Sequence, residues 1–352
     1  MQLGLSENLS SLVARRFTAA RDAGHLIFSQ THLATVYAAG IPCQLRYCPA
    51  LAKKPSGTPK PDHARTGPKP DPFHNPSPEL LIAQIPQADN NPAHLLVLNK
   101  FPVIPNHFIL ATKAWKPQTD LLEKDDLEAA YACIKAWGPS DNNNSSNNPA
   151  SRPRLFAFFN SGDESGASQP HRHLQFLPVE AMSQDSGDDW RPLIDAVAQS
   201  PPPPSGSPYR RLSQLPFAHF ALPLSENPSA DELHATYLAL YRAALATSSH
   251  TQTNPPTTGP AAISYNLAMT ESTMMICPRK SESAQIAVDT NSSNEAVADA
   301  GIVALNGTIL AGTLMVKAEA EWNELRRNPE SLARVLAAIG FPHPDLRHLS
   351  VL

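Results

Sequence analysis

Cysteine is scarce in this chain of 352 residues: there are four, at positions 43, 48, 133 and 277, and no two form a Cys-x-x-Cys pair. That spacing excludes a zinc framework and a disulfide scaffold of the secreted kind. Long hydrophobic runs are also missing. None approaches the roughly 18 apolar residues that a membrane helix needs. The first residues, MQLGLSENLSSLVARRF, lack the basic start and apolar core of a secretory leader. They read as the amphipathic first helix of the fold, and the expected location is the cytoplasm, with the nucleus as a second compartment.

Proline, by contrast, is abundant at 36 residues, and it gathers with asparagine and serine into breaks along the chain. Pro55 to Pro78, Gly138 to Pro153, Ser200 to Pro208 and Ser248 to Pro260 read as exposed loops, the second and third of low complexity and the second and fourth expected to be disordered. The remaining length can bury a sizeable core as one large domain or two ordinary ones.

The most informative stretch runs from Asn160 to Leu177, NSGDESGASQPHRHLQFL. Ahead of it, Leu155 to Phe159 is a continuous apolar run bounded by proline and by a glycine-bearing loop, which predicts a buried strand. Behind the loop, His171, His173 and Gln175 recur at spacing two. On an extended chain their side chains share one face, while Arg172 and Leu174 take the other. Gly162 and Gly166 permit close approach between the strands, and backbone N–H groups in such a turn can bind an anion. A His-x-His pair also occurs in zinc sites, but the alternate position here is glutamine, a poor zinc ligand, so no metal is expected.

Together these residues resemble the histidine-triad superfamily, in the transferase branch where glutamine replaces the third histidine. LAKKP (51–55), LNKFPVIPNH (98–107), LPFAHF (215–220), SYNL (264–267) and AGTLMVK (311–317) are similar, in order, to the fungal-type diadenosine tetraphosphate phosphorylases, also called ATP adenylyltransferases. The likeness spans nearly the whole chain. The missing Cys-x-x-Cys separates it from hexose-phosphate uridylyltransferases, which share the His-x-His-x-Gln pattern.

The resemblance implies an α+β fold: an antiparallel sheet built from two histidine-triad-like halves, with helices packed on it. A duplication is also suggested by the residues. His107-Phe-Ile-Leu, a helical pattern over Asp125 to Trp137 and LFAFFN are echoed by His219-Phe-Ala-Leu, Asp231 to Leu245 and ISYNL. Asp125, and Ser229 or Asp231, are candidate helix caps. The halves are expected at 1–199, catalytic, with the insert 138–153, and at 209–352, with the insert 248–260. In the second, MMICPR stands in place of HRHLQF, so the chemistry is lost there.

By the same resemblance, His173 is the nucleophile that carries an adenylyl group, His171 orients it, and Gln175 donates a hydrogen bond to a nonbridging phosphate oxygen. Glutamine is neither acid nor base, which suits transfer to phosphate better than hydrolysis. The implied substrate contacts are Lys54, Asn99, Lys100, Asn160 and Gly166, Ala167, Ser168 and Gln169 from the first half. From the second come Leu305, Asn306, Gly307, Thr313 and Lys317. The formal net charge of −4 does not oppose a polyphosphate ligand, because screening over about 8 Å leaves the outcome to the few cations within reach. Arg279 is a weaker candidate cation, and Asn266 reads as a tie between strands before a ligand.

The reaction expected is phosphorolysis of diadenosine tetraphosphate to ADP and ATP through an adenylyl-histidine, reversible and open to adenylyl sulfate. Alternatives are a sugar-nucleotide uridylyl- or guanylyltransferase, and a nucleotide-binding sensor without turnover. No cofactor is required, with magnesium only as the counterion of the polyphosphate. The partners are small molecules, namely the dinucleotide, inorganic phosphate, ATP and ADP, and neither nucleic acid nor membrane. The expected state is a monomer.

Overall fold

A computed structural model describes residues 1–53, 70–87, 91–138, 152–184, 186, 190–201, 206–248, 255–286 and 301–344. Lys54 and most of the four proline-rich and asparagine-rich breaks lie outside these residues.

Eight strands form the main sheet: β3 (Leu81–Ile85), β4 (His94–Leu98), β5 (Phe108–Thr112), β6 (Leu155–Ser161), β7 (His173–Pro178), β8 (Phe220–Pro223), β9 (Tyr265–Met269) and β10 (Thr273–Pro278). Their order is β3-β4-β5-β7-β6-β9-β10-β8, and every neighbouring pair is antiparallel. The expected duplication is visible in this order. A strand, a helix and a hairpin occur as β5, α2 (Lys124–Trp137), β6 and β7, and again as β8, α5 (Ala230–Thr247), β9 and β10. In each copy the first strand pairs with the last, and the copies join along β6 and β9, where Asn160 faces Asn266.

Helix boundaries follow local chemistry. At α2 the cap is Glu123 rather than the expected Asp125: Glu123 and Asp126 form a capping box that satisfies the backbone donors of the first turn, while Asp125 sits within that turn. Ser229 and Glu232 do the same for α5, so Ser229 and not Asp231 is its cap. The N-terminal helix is α1 (Leu9–Asp22), capped by Asn8 and burying Leu9, Val13, Phe17 and Ala20.

The sheet separates two apolar cores. On one face, α1, α2 and α5 pack over Leu155, Ala157, Phe159, Leu174 and Phe176. On the other, Phe156, Phe158, Leu177, Met275 and Cys277 meet a cover made mostly from the chain's two ends. β6 is apolar from Leu155 to Phe159 because it is central and both of its faces are buried.

That cover includes a second sheet that the sequence reading did not foresee: β1 (His32–Ala38), β2 (Ile41–Tyr47) and β13 (Thr313–Val316), with β13 parallel to β2. A small hairpin-like pair, β11 (Ser283–Gln285) and β12 (Ile302–Ala304), and the short helices α3 (Val179–Ser183) and α4 (Leu193–Ala198) lie between. α6 (Glu319–Arg327) and α7 (Pro329–Ile339) close the fold. Among the described residues, no helix is long and apolar enough to cross a membrane.

Candidate active site

Strand alternation puts the three motif side chains where the reading expected them, although β7 begins only at His173 and His171 precedes it as a single bridge to Pro117. Arg172 turns to the helical face. There its guanidinium donates to Glu123 Oε1 and to Asp126 Oδ2, each at 2.8 Å, which ties the histidine segment to the first turn of α2. Burial opposes ionisation of Asp126, but the His94 hydrogen bond and the charge of Arg172 outweigh it and hold the carboxyl below its usual range.

His173 is buried, and its ring is held from one side. Nδ1 lies 2.8 Å from the carbonyl of His171, to which it donates its hydrogen. In a neutral imidazole that tautomer leaves the Nε2 lone pair bare, and no protein donor meets Nε2 among the described residues. Desolvation, partly offset by the bond to the His171 carbonyl, lowers the ring's pKa to about 4. The imidazole is therefore neutral near pH 7 and able to attack an electrophile.

Four further residues hold His171 and His173 in place, and the sequence reading missed all of them. Asp71 Oδ2 sits 2.6 Å from His171 Nδ1, while His171 Nε2 meets Thr112 Oγ1 at 3.0 Å. Phe73 packs its ring against both His171 and His173, at centroid separations of 5.7 and 5.1 Å. Gln118 fills the place where β6 and β7 part. It accepts from the His173 N–H at 2.7 Å and donates to the Asn160 carbonyl at 2.7 Å. Asp71 and Phe73 lie within the proline-rich stretch expected to be an exposed loop, where Phe73 is in fact buried, and Gln118 lies in a loop, so neither periodicity nor motif spacing marks them.

Asn160 ties the two halves together. Its Oδ1 accepts from Asn266 Nδ2 and from the Gly307 N–H, both at 2.9 Å. Its own Nδ2 is buried without a partner among the described residues. Gly307 has to be glycine for this contact, since a Cβ would stand 2.7 Å from Asn160 Oδ1. Gly166, at φ +77°, comes equally close to the backbone of Leu305 and Asn306. The backbone N–H groups from Gly166 through Ala167 and Ser168 to Gln169 have no protein acceptor among the described residues, which suits an anion cradle.

The other expected residues are placed less uniformly. Gln175 Oε1 is 3.1 Å from His107 Nε2, and His107 Nδ1 is 3.0 Å from Asn99 Nδ2. Lys100 is exposed, with its ammonium 5.7 Å from the Phe101 ring centre, and Lys317 is exposed at the end of β13. Neither ammonium group has a carboxylate partner among the described residues, although the Lys317 backbone N–H donates to Glu321 Oε2 at 3.0 Å. Asn306 caps the turn that follows it through Thr308 N–H. Thr313 does not offer its side chain to a ligand: it is fully buried and donates its hydroxyl to Gln44 Oε1 at 3.0 Å. Arg279 is likewise no phosphate cation. Its guanidinium is buried and bonded to Asn266 Oδ1 and to the carbonyls of Ser281, Glu282, Leu305 and Ile339. Asn266, so held and donating to Asn160 and to the Ser165 carbonyl, ties the strands as expected.

Comparison with known proteins identifies the family. Residues 2–196 match the Ap4A phosphorylase N-terminal domain and residues 213–342 the ATP adenylyltransferase C-terminal domain. Protein APA1 of Saccharomyces cerevisiae is 28% identical over 97% of both chains, and diadenosine 5′,5‴-P1,P4-tetraphosphate phosphorylase 2 of the same yeast is 28% identical over 96% of both. The crystal structure of yeast Ap4A phosphorylase Apa2 in complex with Ap4A has the same fold, with a TM-score of 0.73, 25% identity and coverage of 97% of this chain and 99% of that one. With both of its halves matched, the chain belongs to the Ap4A phosphorylase family of ATP adenylyltransferase-type nucleotidyltransferases.

Proposed function

We propose that the protein phosphorolyses diadenosine 5′,5‴-tetraphosphate to ADP and ATP by way of a covalent adenylyl-histidine. His173 Nε2 attacks an α-phosphorus, a P–N bond forms as the P–O bond to the rest of the chain breaks, and ATP departs. Inorganic phosphate then attacks the same phosphorus, breaks the P–N bond and leaves as ADP. The observation that carries this reading is the tautomer of His173, buried and neutral, with Nδ1–H on the His171 carbonyl and Nε2 bare.

The surrounding donors have matching work. The unpartnered Asn160 amide, the four loop N–H groups and the Gln175 amide are aimed at charge on phosphate oxygens, the term on which nucleotidyl transfer leans most. The ATP leaving group is stable at neutral pH and needs no proton from position 175. The adduct is open to either leaving partner, so the exchange runs in reverse, and adenylyl sulfate is a further donor of the same adenylyl group. No resident cofactor is needed, magnesium serving only as counterion to the polyphosphate, and one chain holds every residue named, so a monomer suffices. The name of the second yeast relative, a diadenosine tetraphosphate phosphorylase, and the bound dinucleotide of the Apa2 crystal support the choice of substrate.

Intact-mass measurement after brief mixing with the tetraphosphate, without phosphate, tests the mechanism. An adenylylated protein is expected, absent in His173→Gln, with ADP formed only after phosphate is added. Turnover that ignores His173 would sink the covalent route. An adduct formed from a UDP- or GDP-sugar instead would move the assignment to sugar nucleotides.

A further inference from the structure

The loop between β4 and β5 carries a histidine that no step above uses, and its hydrogen bonds run in one direction. The chain of bonds starts from a backbone N–H, that of Phe101, which can only donate. It lies 2.9 Å from Asn99 Oδ1, so the other branch of the Asn99 amide is its NH₂ group. That NH₂ stands 3.0 Å from His107 Nδ1, which must therefore be the bare, accepting nitrogen. A neutral ring with a bare Nδ1 carries its hydrogen on Nε2, 3.1 Å from Gln175 Oε1. Gln175 accepts through its carbonyl, which leaves the NH₂ as the branch not taken by His107.

From this polarity we propose that His107 is a positioning residue that locks the carboxamide of Gln175 with its NH₂ group toward the substrate phosphates. The inference rests on the phosphoryl chemistry proposed above. A carboxamide is nearly symmetric in shape and can turn by 180° at little steric cost. Turned, it would present a carbonyl oxygen to a phosphate oxygen, an acceptor to an acceptor. Strand alternation keeps Gln175 on the face of His173, so the lock acts where the new P–N bond forms. The relay also requires His107 to be neutral, because a proton on Nδ1 would set it against the Asn99 NH₂. Asn99, expected to contact substrate directly, has its carbonyl and one amide hydrogen engaged here.

The test compares wild type with His107→Leu and His107→Gln in the formation of the adenylyl adduct, together with long-range ¹H–¹⁵N correlation of the His107 ring at neutral pH. Leucine removes the donor. Glutamine restores one near the position of ring Nε2. The expected result is a fall of about 10- to 100-fold in kcat for His107→Leu with KM changed by less than about threefold, as for loss of one oriented donor at a transition state. His107→Gln should stay within about fivefold of wild type, and the ring proton should be on Nε2. Wild-type kcat in His107→Leu, a folded His107→Gln as slow as His107→Leu, or a proton on Nδ1 would each overturn the proposal. If wild type forms no adduct with the tetraphosphate, the substrate reading fails separately, and the ring tautomer still decides the relay.

Discussion

Two buried histidines, one in each half of the sheet, begin in the same way and end differently. His173 donates Nδ1–H to the carbonyl two residues before it, at 2.8 Å, and His219 does the same to Phe217, at 2.9 Å. Desolvation lowers both, to about 4 and about 3 respectively. At His219, however, the second nitrogen accepts the N–H of Leu212 at 2.9 Å, so the ring is fully satisfied by the protein. At His173 that nitrogen has no protein donor among the described residues. Burial, neutrality and tautomer are thus shared by a core residue and the proposed nucleophile, and what separates them among the described residues is one withheld hydrogen bond.

The largest expected effect breaks the comparison outright. His173→Ala should lower phosphorolysis by at least about 10⁴-fold while the protein stays folded, as loss of a nucleophile does. His219→Ala should leave kcat nearly unchanged and cost about 1–3 kcal/mol of stability in denaturant unfolding, because Leu212 and Phe217 lose a buried partner. A turnover defect in His219→Ala at intact stability would show that the second half retains chemistry.

A second contrast lies in the paired asparagines at the join. Asn160→Ala removes an unpartnered donor and should reduce kcat by about 10²-fold, in the range seen for oxyanion-type donors. Asn266→Ala unties Arg279, Asn160 and the Ser165 carbonyl together, so its main effect should be on melting temperature. Equal kinetic and thermal losses in both variants would erase the distinction drawn between them.

Asp71 sharpens the comparison more gently, since the second half has no matching carboxylate beside His219 among the described residues. Asp71→Asn keeps the shape and weakens the hold on His171, and steady-state kinetics should show a loss of roughly 10-fold in kcat. The smallest effect concerns acid stability. Both rings sit below the ordinary value near 6.5, so the unfolded chain binds more protons than the folded one as pH falls from about 6.5 toward 4. Each ring should then remove about 1.4 kcal/mol of stability per pH unit in that window. His173→Gln and His219→Gln should each flatten the slope measured by urea unfolding between pH 6.5 and 4. A slope unchanged in both would show that other groups set it.

Much of this arrangement was legible in the sequence where neighbours in the chain decide the geometry. The apolar run at Leu155 to Phe159 became the central strand, and the two hairpins and their helices appeared in the expected order. His171, His173 and Gln175 took one face and Arg172 the other. The cap of α2 was misplaced by two residues because Glu123, Asp125 and Asp126 all suit a helix start, and only the reciprocal bonds of Glu123 and Asp126 choose between them. Thr313 looked like a ligand contact because its segment resembles one, yet its hydroxyl answers to Gln44, 269 positions away.

The sequence by itself determined the shared face of His171, His173 and Gln175 and the doubled strand-helix-hairpin plan, because these follow from side-chain direction and the pattern of burial along short stretches. Only the tertiary structure decided what stands behind each group. Asp71 reaches His171 across 100 positions, Gly307 reaches Asn160 across 147, and His107 reaches Gln175 across 68. Such bonds depend on which strands pair and how loops return over them. No local periodicity records that, so the withheld bond at His173 Nε2 could be seen only in the folded chain.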